Sequence, residues 1–379
     1  MTAPAACEAV HDALARASAV LTIDLDALAD NWRSLAKRAA GAVCAAVVKA
    51  DAYGLGIAHA APALWAAGAR IFFVAQLAEG VALRAVLPDA TLYVLGGLLP
   101  GTDAAFRAYD LRPVLGSRPE LDDWARICRA EGRELPAALH VDTGMNRLGL
   151  TCAEALALGP GGLGFTPSLL MSHLACADTP GHPLTALQLE RFRTLRAAFA
   201  GVPASLANSA GLLTGPEFHF DVVRPGIALY GGASLQSAPV FKPVLRLEAP
   251  IILVRRCAAG ESIGYGAAQH VERDSRIAIL SVGYADGFLR GFGAADGSAG
   301  AEAVIAGRRC PLVGRVSMDL VAVDVTSLPE GAVARGDAAV LLGEGIGVDD
   351  LAAHGGTIGY EVLTDLSRRY RRVYRGGAD

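Results

Sequence analysis

The feature that most constrains this chain is a series of short apolar segments that alternate with helical patterns. Eight such segments run from AAVV at residues 45–48 to IALY at residues 227–230. Continuously apolar strands joined by helices predict parallel pairing with a covered outer face, and eight of them predict a closed (β/α)8 barrel. An open doubly wound sheet is the alternative. The six segments between the two ends are RIFFVA (70–75), TLYVL (91–95), LRPVL (111–115), AALHVD (137–142), SLLMSHL (168–174) and ASLAN (204–208).

The barrel is predicted over residues 28–243, and the pattern beyond it changes. Alternating segments separated by Gly and Pro turns predict antiparallel β structure, and hence a mostly β domain over residues 244–379. The strand VLTIDL (20–25) is predicted to join that domain, and DGSAG (296–300) predicts an exposed hairpin loop. Asp26 is predicted to cap a helix that carries Leu28, Trp32 and Leu35 on one face. The alternating segments are 245–253, 276–281, 311–316, 320–325 and 338–342.

Composition narrows the class of protein. A formal charge of −4 on 379 residues is too small to indicate a nucleic-acid or membrane partner. Seven cysteines, odd in number and never in C-x-x-C spacing, predict reduced thiols rather than disulfides or a metal site. The first twenty residues lack a basic segment followed by an apolar one, so we expect no secretion signal and a cytoplasmic location.

Lys49 is the first candidate for chemistry. It follows the strand AAVV and precedes a glycine-rich turn, with no acid in the apolar run. Desolvation at the end of a buried strand lowers the pKa of a lysine and frees its amine for Schiff-base formation. The alternative is a strand-end lysine that extends to solvent. Tyr53, Gly54 and Gly56 favour the first interpretation, because a hydroxyl and bare backbone can approach a phosphate closely.

Other candidate residues lie next to later strands, at the barrel edge where active sites are built. Each has an ordinary explanation on its own: a satisfied core histidine, a helix cap or a surface turn. Together they predict a site with a Schiff-base amine, phosphate-binding groups and two arginines. They are Asp142, Gly144, Met145 and Arg147 after the fifth strand, His173 after the sixth, Asn208 and Ser209 after the seventh, and Arg224, Gly226 and Ile227 around the eighth.

Six motifs resemble, in this order, those of the alanine racemase family of pyridoxal-phosphate enzymes: VVKADAYGLG, HVDTGMNRLG, RPGIALYG, VGYADG, GRVSMDL and TIGYEVLTDLS. The resemblance covers residues 20–374. It implies a barrel followed by a β domain, a homodimer with shared active sites, and interconversion of L- and D-alanine for peptidoglycan synthesis or D-alanine breakdown. A related pyridoxal-phosphate decarboxylase would place an acid where Arg224 stands. A non-catalytic cofactor carrier would not need the β domain.

The resemblance also implies residue roles. Lys49 corresponds to the lysine that holds the cofactor, and Tyr265, lent by the neighbouring subunit, to a second base on the opposite face of the substrate. Arg224 corresponds to the residue facing the pyridine nitrogen. The implied cofactor-binding set is Lys49, Tyr53, His173, Asn208, Ser209, Arg224, Gly226, Ile227 and Tyr360; Arg147 and Met318 bind the substrate carboxylate, Tyr284 and Asp319 line the entrance, and no metal is expected.

Two departures from the family pattern affect these expectations. Many members carry a carbamate-modified lysine where this chain has His140, and histidine cannot form a stable carbamate. We therefore expect Arg147 to be held by another anion, a water or His140 itself. The second departure is AAQ after Gly266, which leaves serine or a wider range of amino acids open as substrates.

Overall fold

The computed structural model describes residues 19–39, 41–235, 241–343 and 345–377. These residues form two compact units. The barrel unit comprises residues 28–242, and the β unit comprises residues 19–27 and 243–376. The described chain begins with strand β1 (Val20–Asp24), which lies in the β unit, and continues into helix α1 (Leu25–Arg38).

Helix α1 has the apolar face predicted for it, but a different residue caps it. Leu28, Trp32 and Leu35 are all buried, as the spacing predicts. The prediction that Asp26 is the cap is wrong, because the helix begins one residue earlier. Oδ1 of Asp24 accepts a hydrogen bond from the N–H of Ala27 at 2.7 Å, and Asp26 lies in the first turn.

Eight parallel strands form the barrel. The first is interrupted at Ala45, so that it consists of β2 (Val43–Cys44) and β3 (Ala46–Val47). The later strands follow in chain order, and each of them as far as the seventh barrel strand pairs with the one before it. They are β4 (Ile71–Val74), β5 (Thr91–Val94), β6 (Leu111–Leu115), β7 (Ala138–Asp142), β9 (Leu169–Met171), β10 (Ala204–Ser205) and β11 (Val222–Val223), with β8 (Leu150–Thr151) as an extra strand on β7.

Backbone hydrogen bonds on both sides of β11 close the barrel. On one side the N–H groups of Asp221 and Arg224 donate to Ala204 and Ala207 at 3.0 and 2.9 Å. On the other side β11 pairs in parallel with β2, and the N–H of Val47 donates to the carbonyl of Pro225 at 3.0 Å. The prediction of a closed barrel is therefore confirmed, and an open sheet is excluded.

Helices follow most barrel strands, and their apolar side chains are buried. Leu64, Trp124 and Phe192 are among these, with exposed fractions of 1% or less. The helices are α2 (Ile57–Ala67), α3 (Leu77–Val86), α4 (Asp103–Ala108), α5 (Arg118–Glu131), α6 (Cys152–Leu158), α7 (Pro183–Ala198) and α8 (Ser209–Thr214).

The segment IALY, predicted as the eighth strand, is a 3-10 helix at Ile227–Tyr230. The strand is β11, a few residues earlier. Pro225 has no N–H to continue a sheet ladder, so the pairing ends there. All four side chains of the 3-10 helix are buried, and a short buried helix has the same apolar composition as a buried strand.

The β unit contains the predicted antiparallel strands. Its main sheet has the order β15-β18-β17-β16-β19-β12-β1-β20, in which β1 pairs antiparallel with β12 and parallel with β20. An antiparallel bridge between Ala295 and Ser298 closes the turn predicted at DGSAG. The strands are β12 (Leu245–Cys257), β13 (Ser262–Ile263), β14 (Gln269–His270), β15 (Ser275–Leu280), β16 (Glu302–Ile305), β17 (Arg308–Val313), β18 (Val321–Asp324), β19 (Ala338–Leu342) and β20 (Arg371–Arg375), with helices α9 (Val348–His354) and α10 (Gly359–Thr364).

Two features are absent from the described residues. None of their helices combines the length and the apolar character needed to cross a membrane. Within the same part of the chain, no three His, Cys, Asp or Glu side chains are grouped as metal ligands would be.

Candidate active site

Lys49 stands at the end of the first barrel strand and begins an unusual turn. The segment Lys49–Tyr53 winds left-handed: Ala50, Asp51, Ala52 and Tyr53 have φ values of 55, 54, 56 and 55°. Residues with a Cβ avoid this conformation at a cost of about 1–2 kcal/mol each. Four in succession therefore need strong support from the surrounding structure.

That support comes from hydrogen bonds within and next to the turn, and from the side chain of Glu79. The N–H of Gly54 donates to the carbonyl of Ala50 at 2.7 Å, and Oδ1 of Asp51 accepts from the N–H of Ile57 at 2.8 Å. Oε1 of Glu79, on α3, accepts hydrogen bonds from the N–H groups of Ala50 and Asp51 at 2.5 and 3.3 Å. Glu79 was not predicted as a site residue.

The environment of Lys49 lowers the pKa of its amine. Burial is the main cause, the positive charge of Arg147 adds to it, and the carboxylate of Glu79 opposes it. A larger share of the amine is therefore neutral near pH 7 than for an exposed lysine, as Schiff-base formation requires. Lys49 is partly buried, so it is not the fully solvated strand end considered as the alternative.

Two histidines lie in the same cationic region. Burial, followed by the charge of Arg224, lowers the pKa of His173 to about 3 and that of His140 to about 4. Both side chains are therefore neutral at physiological pH. A neutral His173 retains one ring N–H as a hydrogen-bond donor, but it does not supply a positive charge.

Arg224 is a buried cation without a carboxylate partner in the described part of the chain. It is 4% exposed, so it is not the surface turn considered as the alternative. It donates to the hydroxyl of Ser205 and to the carbonyl of Ser172, and its Nη2 lies 3.4 Å from Nδ1 of His173. Burial lowers its pKa to about 10, which still leaves it charged at neutral pH.

Tyr53, Ser209 and Gly226 form a small polar cradle beside this region. Oγ of Ser209 accepts hydrogen bonds from the N–H groups of Gly226 and Ala228 at 2.8 and 3.4 Å. A Cβ placed on Gly226 would lie 2.2 Å from the Tyr53 hydroxyl, so only glycine fits here. The ring of Tyr53 stacks on Tyr230 at 4.5 Å between centroids. The cradle brings together two hydroxyls and bare backbone, which suit a phosphate group.

Ile227 begins the buried 3-10 helix directly after Gly226. Asn208 has the structural role considered for it: its side chain caps α8 by accepting from the N–H of Gly211 at 2.9 Å.

Arg147 lies on a loop that Asp142 organises. Oδ1 of Asp142 accepts from the N–H groups of Gly144 and Met145 at 2.7 and 2.8 Å, and Oδ2 accepts from that of Arg147 at 3.3 Å. Three bonds to one carboxylate fix the path of the loop.

Gln188 also supports this end of the barrel and was not predicted. It is fully buried on α7, donates to the Thr143 hydroxyl and the His173 carbonyl, and accepts from the N–H of Ala175. The position of Gln188 within a helical pattern does not indicate hydrogen bonds to residues so far away in the sequence.

The remaining predicted residues lie in the β unit, mostly on its surface. Tyr265 lies between Gly264 and Gly266 and is the first residue of a short 3-10 helix. It is 72% exposed. Asp319 forms an ion pair with Arg369 at 2.9 Å. Met318, Tyr284 and Tyr360 are 54%, 43% and 38% exposed.

The residues of the barrel unit suit pyridoxal phosphate. The cradle fits its phosphate, the buried Arg224 can face an electron-rich ring nitrogen, and Lys49 supplies the amine that the aldehyde needs. A closed barrel with this set at the ends of its strands, together with a β unit, defines the class of barrel-type pyridoxal-phosphate enzymes.

Comparison with known proteins identifies the family within that class. Residues 23–234 match the family "Alanine racemase, N-terminal domain", and residues 244–374 match "Alanine racemase, C-terminal domain". The chain is 55% identical over 361 residues to an alanine racemase of Methylobacterium nodulans, covering 94% of this chain and 96% of that protein. It is 51% identical over 372 residues to one of Rhizobium meliloti, covering 96% and 98%. The chain belongs to the alanine racemase family.

A solved structure agrees with this assignment. The crystal structure of alanine racemase from Bartonella henselae with covalently bound pyridoxal phosphate superposes with a TM-score of 0.89 at 37% identity, covering 95% of this chain and 100% of that one. The similarity therefore includes the fold as well as the sequence motifs.

Proposed function

We propose that this protein interconverts L-alanine and D-alanine with pyridoxal phosphate, using Lys49 and Tyr265 as proton carriers on opposite faces of the substrate α-carbon. The observation that carries the proposal is the partly buried Lys49 amine, whose pKa is lowered, placed in a barrel unit that also holds the phosphate cradle. When bound, the cofactor withdraws electrons from the α-carbon of an attached amino acid and so acidifies its proton.

The barrel unit would hold the cofactor with residues of complementary chemistry. Tyr53, Ser209 and the backbone of Gly226 and Ile227 would bind the phosphate, with Tyr360 of the β unit as a further contact. Arg224 would face the ring nitrogen. Because a guanidinium is a permanent donor, it keeps that nitrogen unprotonated and limits side reactions that need full delocalisation of charge. His173 supports Arg224 through Nδ1, and Asn208 acts by fixing the start of α8.

Racemisation requires a proton to leave one face of the α-carbon and another to arrive on the opposite face. Lys49 Nζ would accept the proton of D-alanine, since the lowered pKa of the amine leaves part of it neutral. The Tyr265 hydroxyl would accept the proton of L-alanine. A free tyrosine has a pKa of about 10, so this role requires the positive charge of Arg147 or a hydrogen bond from His173 nearby.

The substrate carboxylate would be bound by Arg147 and by the backbone amide of Met318, with Tyr284 and Asp319 at the entrance. The loop held by Asp142 fixes the start of the Arg147 side chain. His140 occupies the position of the modified lysine, and its neutral, buried imidazole contributes no anion there. We infer that Arg147 is oriented by the loop and by the substrate carboxylate itself.

We also propose a homodimer with shared sites. Tyr265 is 72% exposed in a single chain, and Met318 is 54% exposed, although both are assigned to the chemistry. Covering them with the barrel unit of a second chain would supply the low-dielectric surroundings that proton transfer needs. A cytoplasmic location fits the six cysteines of the described residues, all of which are free thiols.

Incubation with alanine in heavy water tests the mechanism. The wild-type protein with pyridoxal phosphate should convert L-alanine into D-alanine that carries deuterium at the α-carbon. Tyr265→Ala should lower proton abstraction from L-alanine by about 10²–10⁴-fold, the usual contribution of a general base, and abstraction from D-alanine far less. Lys49→Ala should lose abstraction from D-alanine as well as the covalent bond to the cofactor. Equal losses from both enantiomers in Tyr265→Ala would contradict the two-carrier assignment.

A further inference from the structure

The left-handed turn Lys49–Tyr53 links two groups of the site. Lys49, the Schiff-base amine, stands at its first residue, and Tyr53, whose hydroxyl reaches Gly226, stands at its last. The conformation of the four residues from Ala50 to Tyr53 therefore sets the separation and direction of both groups. A residue that stabilises this turn therefore affects the positions of both the Lys49 amine and the Tyr53 hydroxyl.

Glu79 is joined to this turn by one of its carboxylate oxygens. Oε1 accepts hydrogen bonds from the N–H groups of Ala50 and Asp51, at the beginning of the turn. Successive N–H groups in a turn form a concave site for an anion, and here the carboxylate of Glu79 occupies it. Hydrogen bonds to an ionised acceptor are stronger than neutral ones.

The second oxygen joins Glu79 to the next strand. Oε2 accepts from the N–H groups of Ala75 and Gln76, at 2.8 and 3.0 Å, directly after β4. One carboxylate thus binds four backbone N–H groups from two neighbouring strand ends. Its negative charge also acts on the Lys49 amine, in the direction opposite to burial.

We propose that Glu79 is a positioning residue of the active site, which keeps the turn after Lys49 in its left-handed form and so places the Lys49 amine and the Tyr53 hydroxyl for the cofactor. The proposal rests on the proposed function for the identity of that cofactor. It gives Glu79 no contact with the substrate.

The chain contains a matched control in Glu120. It occupies the equivalent third position of α5, where Oε2 accepts from the N–H of Gly116 and from the Ser117 hydroxyl. Its Oε1 accepts from the N–H of Leu98, in the loop after β5. Glu120 therefore performs the same bridging between neighbouring strand ends, but at a loop that carries no predicted site residue.

The test compares Glu79→Gln with Glu120→Gln in the full-length apoprotein. A glutamine side chain keeps the size but loses the charge and one acceptor, so it cannot satisfy both pairs of N–H groups. Pyridoxal phosphate is added back, and its dissociation constant and rate of covalent attachment are measured by absorbance. Glu79→Gln should weaken cofactor binding about tenfold or more and shift the pH dependence of attachment to Lys49. Glu120→Gln should keep the wild-type values of both.

A third variant separates turn geometry from general destabilisation. Ala50 is exposed and has a φ of 55°, so Ala50→Gly removes part of the cost of the left-handed form without opening a cavity. Ala50→Gly in the Glu79→Gln background should recover several-fold in cofactor affinity, whereas in the Glu120→Gln background it should change affinity less than twofold. Thermal unfolding of each apoprotein shows whether the two glutamine variants are comparably folded.

Two results would overturn the proposal: wild-type cofactor affinity and pH dependence in Glu79→Gln, or equal losses in Glu120→Gln. Neither depends on racemisation. Failure of the proposed function would look different, because a wild-type protein that binds pyridoxal phosphate but does not racemise alanine leaves the comparison of cofactor affinities intact.

Discussion

Three predicted cofactor-binding residues of the barrel unit are far less exposed than the two residues of the β unit that are assigned to the chemistry. In the barrel unit, Tyr53, Ser209 and Arg224 are 4%, 2% and 4% exposed, and each already has partners within that unit. In the β unit, Tyr265 and Met318 are 72% and 54% exposed. The barrel unit buries residues that are proposed to hold the cofactor, whereas the β unit exposes the two residues that are proposed to act on the substrate. This difference is what a site assembled from two chains requires.

Mixing two inactive variants is the strongest test of this comparison. Lys49→Ala damages only the barrel side of a site, and Tyr265→Ala only the β side. If sites are shared between chains, random reassociation of equal amounts makes half of the dimers mixed, and each mixed dimer has one intact site. We expect about a quarter of the wild-type activity, a gain of roughly 25-fold or more over the Tyr265→Ala variant alone.

The matched control mixes Lys49→Ala with Arg147→Ala, since both changes lie in the barrel unit. A mixed dimer of these two then has no intact site, and no gain should appear. Full activity of a monomer in sedimentation or light scattering, or no gain in the first mixture after proven subunit exchange, would show that each chain holds a complete site.

Gly226→Ala tests whether the buried cradle of the barrel unit binds the phosphate of the cofactor. The added Cβ would lie 2.2 Å from the Tyr53 hydroxyl, which must move. Loss of one or two hydrogen bonds in the phosphate cradle should weaken pyridoxal-phosphate binding by about ten- to a hundredfold, measured by titration of the apoprotein. Gly161→Ala, also in the barrel unit, is the control, because a Cβ at that position would meet no atom within 4 Å. Unchanged affinity in Gly226→Ala would argue against the cradle as the phosphate site.

The smallest expected effect is a change in stability with pH, caused by the buried His140 of the barrel unit. The pKa of His140 is about 4 in the folded protein, against about 6.5 when unfolded, so the unfolded state binds the proton first as pH falls. Its contribution to stability is complete above pH 6.5, falls towards pH 4 and changes no further below that. At pH 5 the loss should be about 2 kcal/mol, measured by urea unfolding of the apoprotein.

His140→Gln should remove this part of the pH dependence, because glutamine does not titrate. His354→Gln is the control, because this side chain is exposed. If the stability of the wild type and of His140→Gln falls in parallel between pH 7 and pH 5, the buried neutral state of His140 is not the cause.

Much of the fold was predictable because strand and helix patterns depend on local composition. The barrel strands β4 to β7 and the β-unit strands β12, β15, β18 and β19 lie where the apolar patterns place them. The eighth strand was misplaced because Val222 and Val223 form a run of only two residues, whereas IALY is longer and equally apolar. Periodicity does not distinguish a buried strand from a buried 3-10 turn of four residues.

The sequence singles out residues that stand one or two positions after a barrel strand, as Lys49, His173 and Arg224 do. Glu79 and Gln188 were missed for a different reason. Their bonds join segments far apart in sequence, 29 residues in the case of Glu79 and Ala50, and nothing local marks them. Glu79 lies in a capping box whose first residue is Gln76 rather than the usual serine or threonine, so the sequence signal for that box was weak as well.

The turn after Lys49 also bears on when a newly made chain can capture its cofactor. A ribosome adding about 5–20 residues per second makes Glu79 roughly 1.5–6 seconds after Ala50, 29 positions earlier. Until then, no carboxylate from α3 is present to hold four side-chain-bearing residues in a left-handed form. We therefore expect nascent chains that end before the second strand–helix unit to bind pyridoxal phosphate no better than an ordinary exposed lysine does.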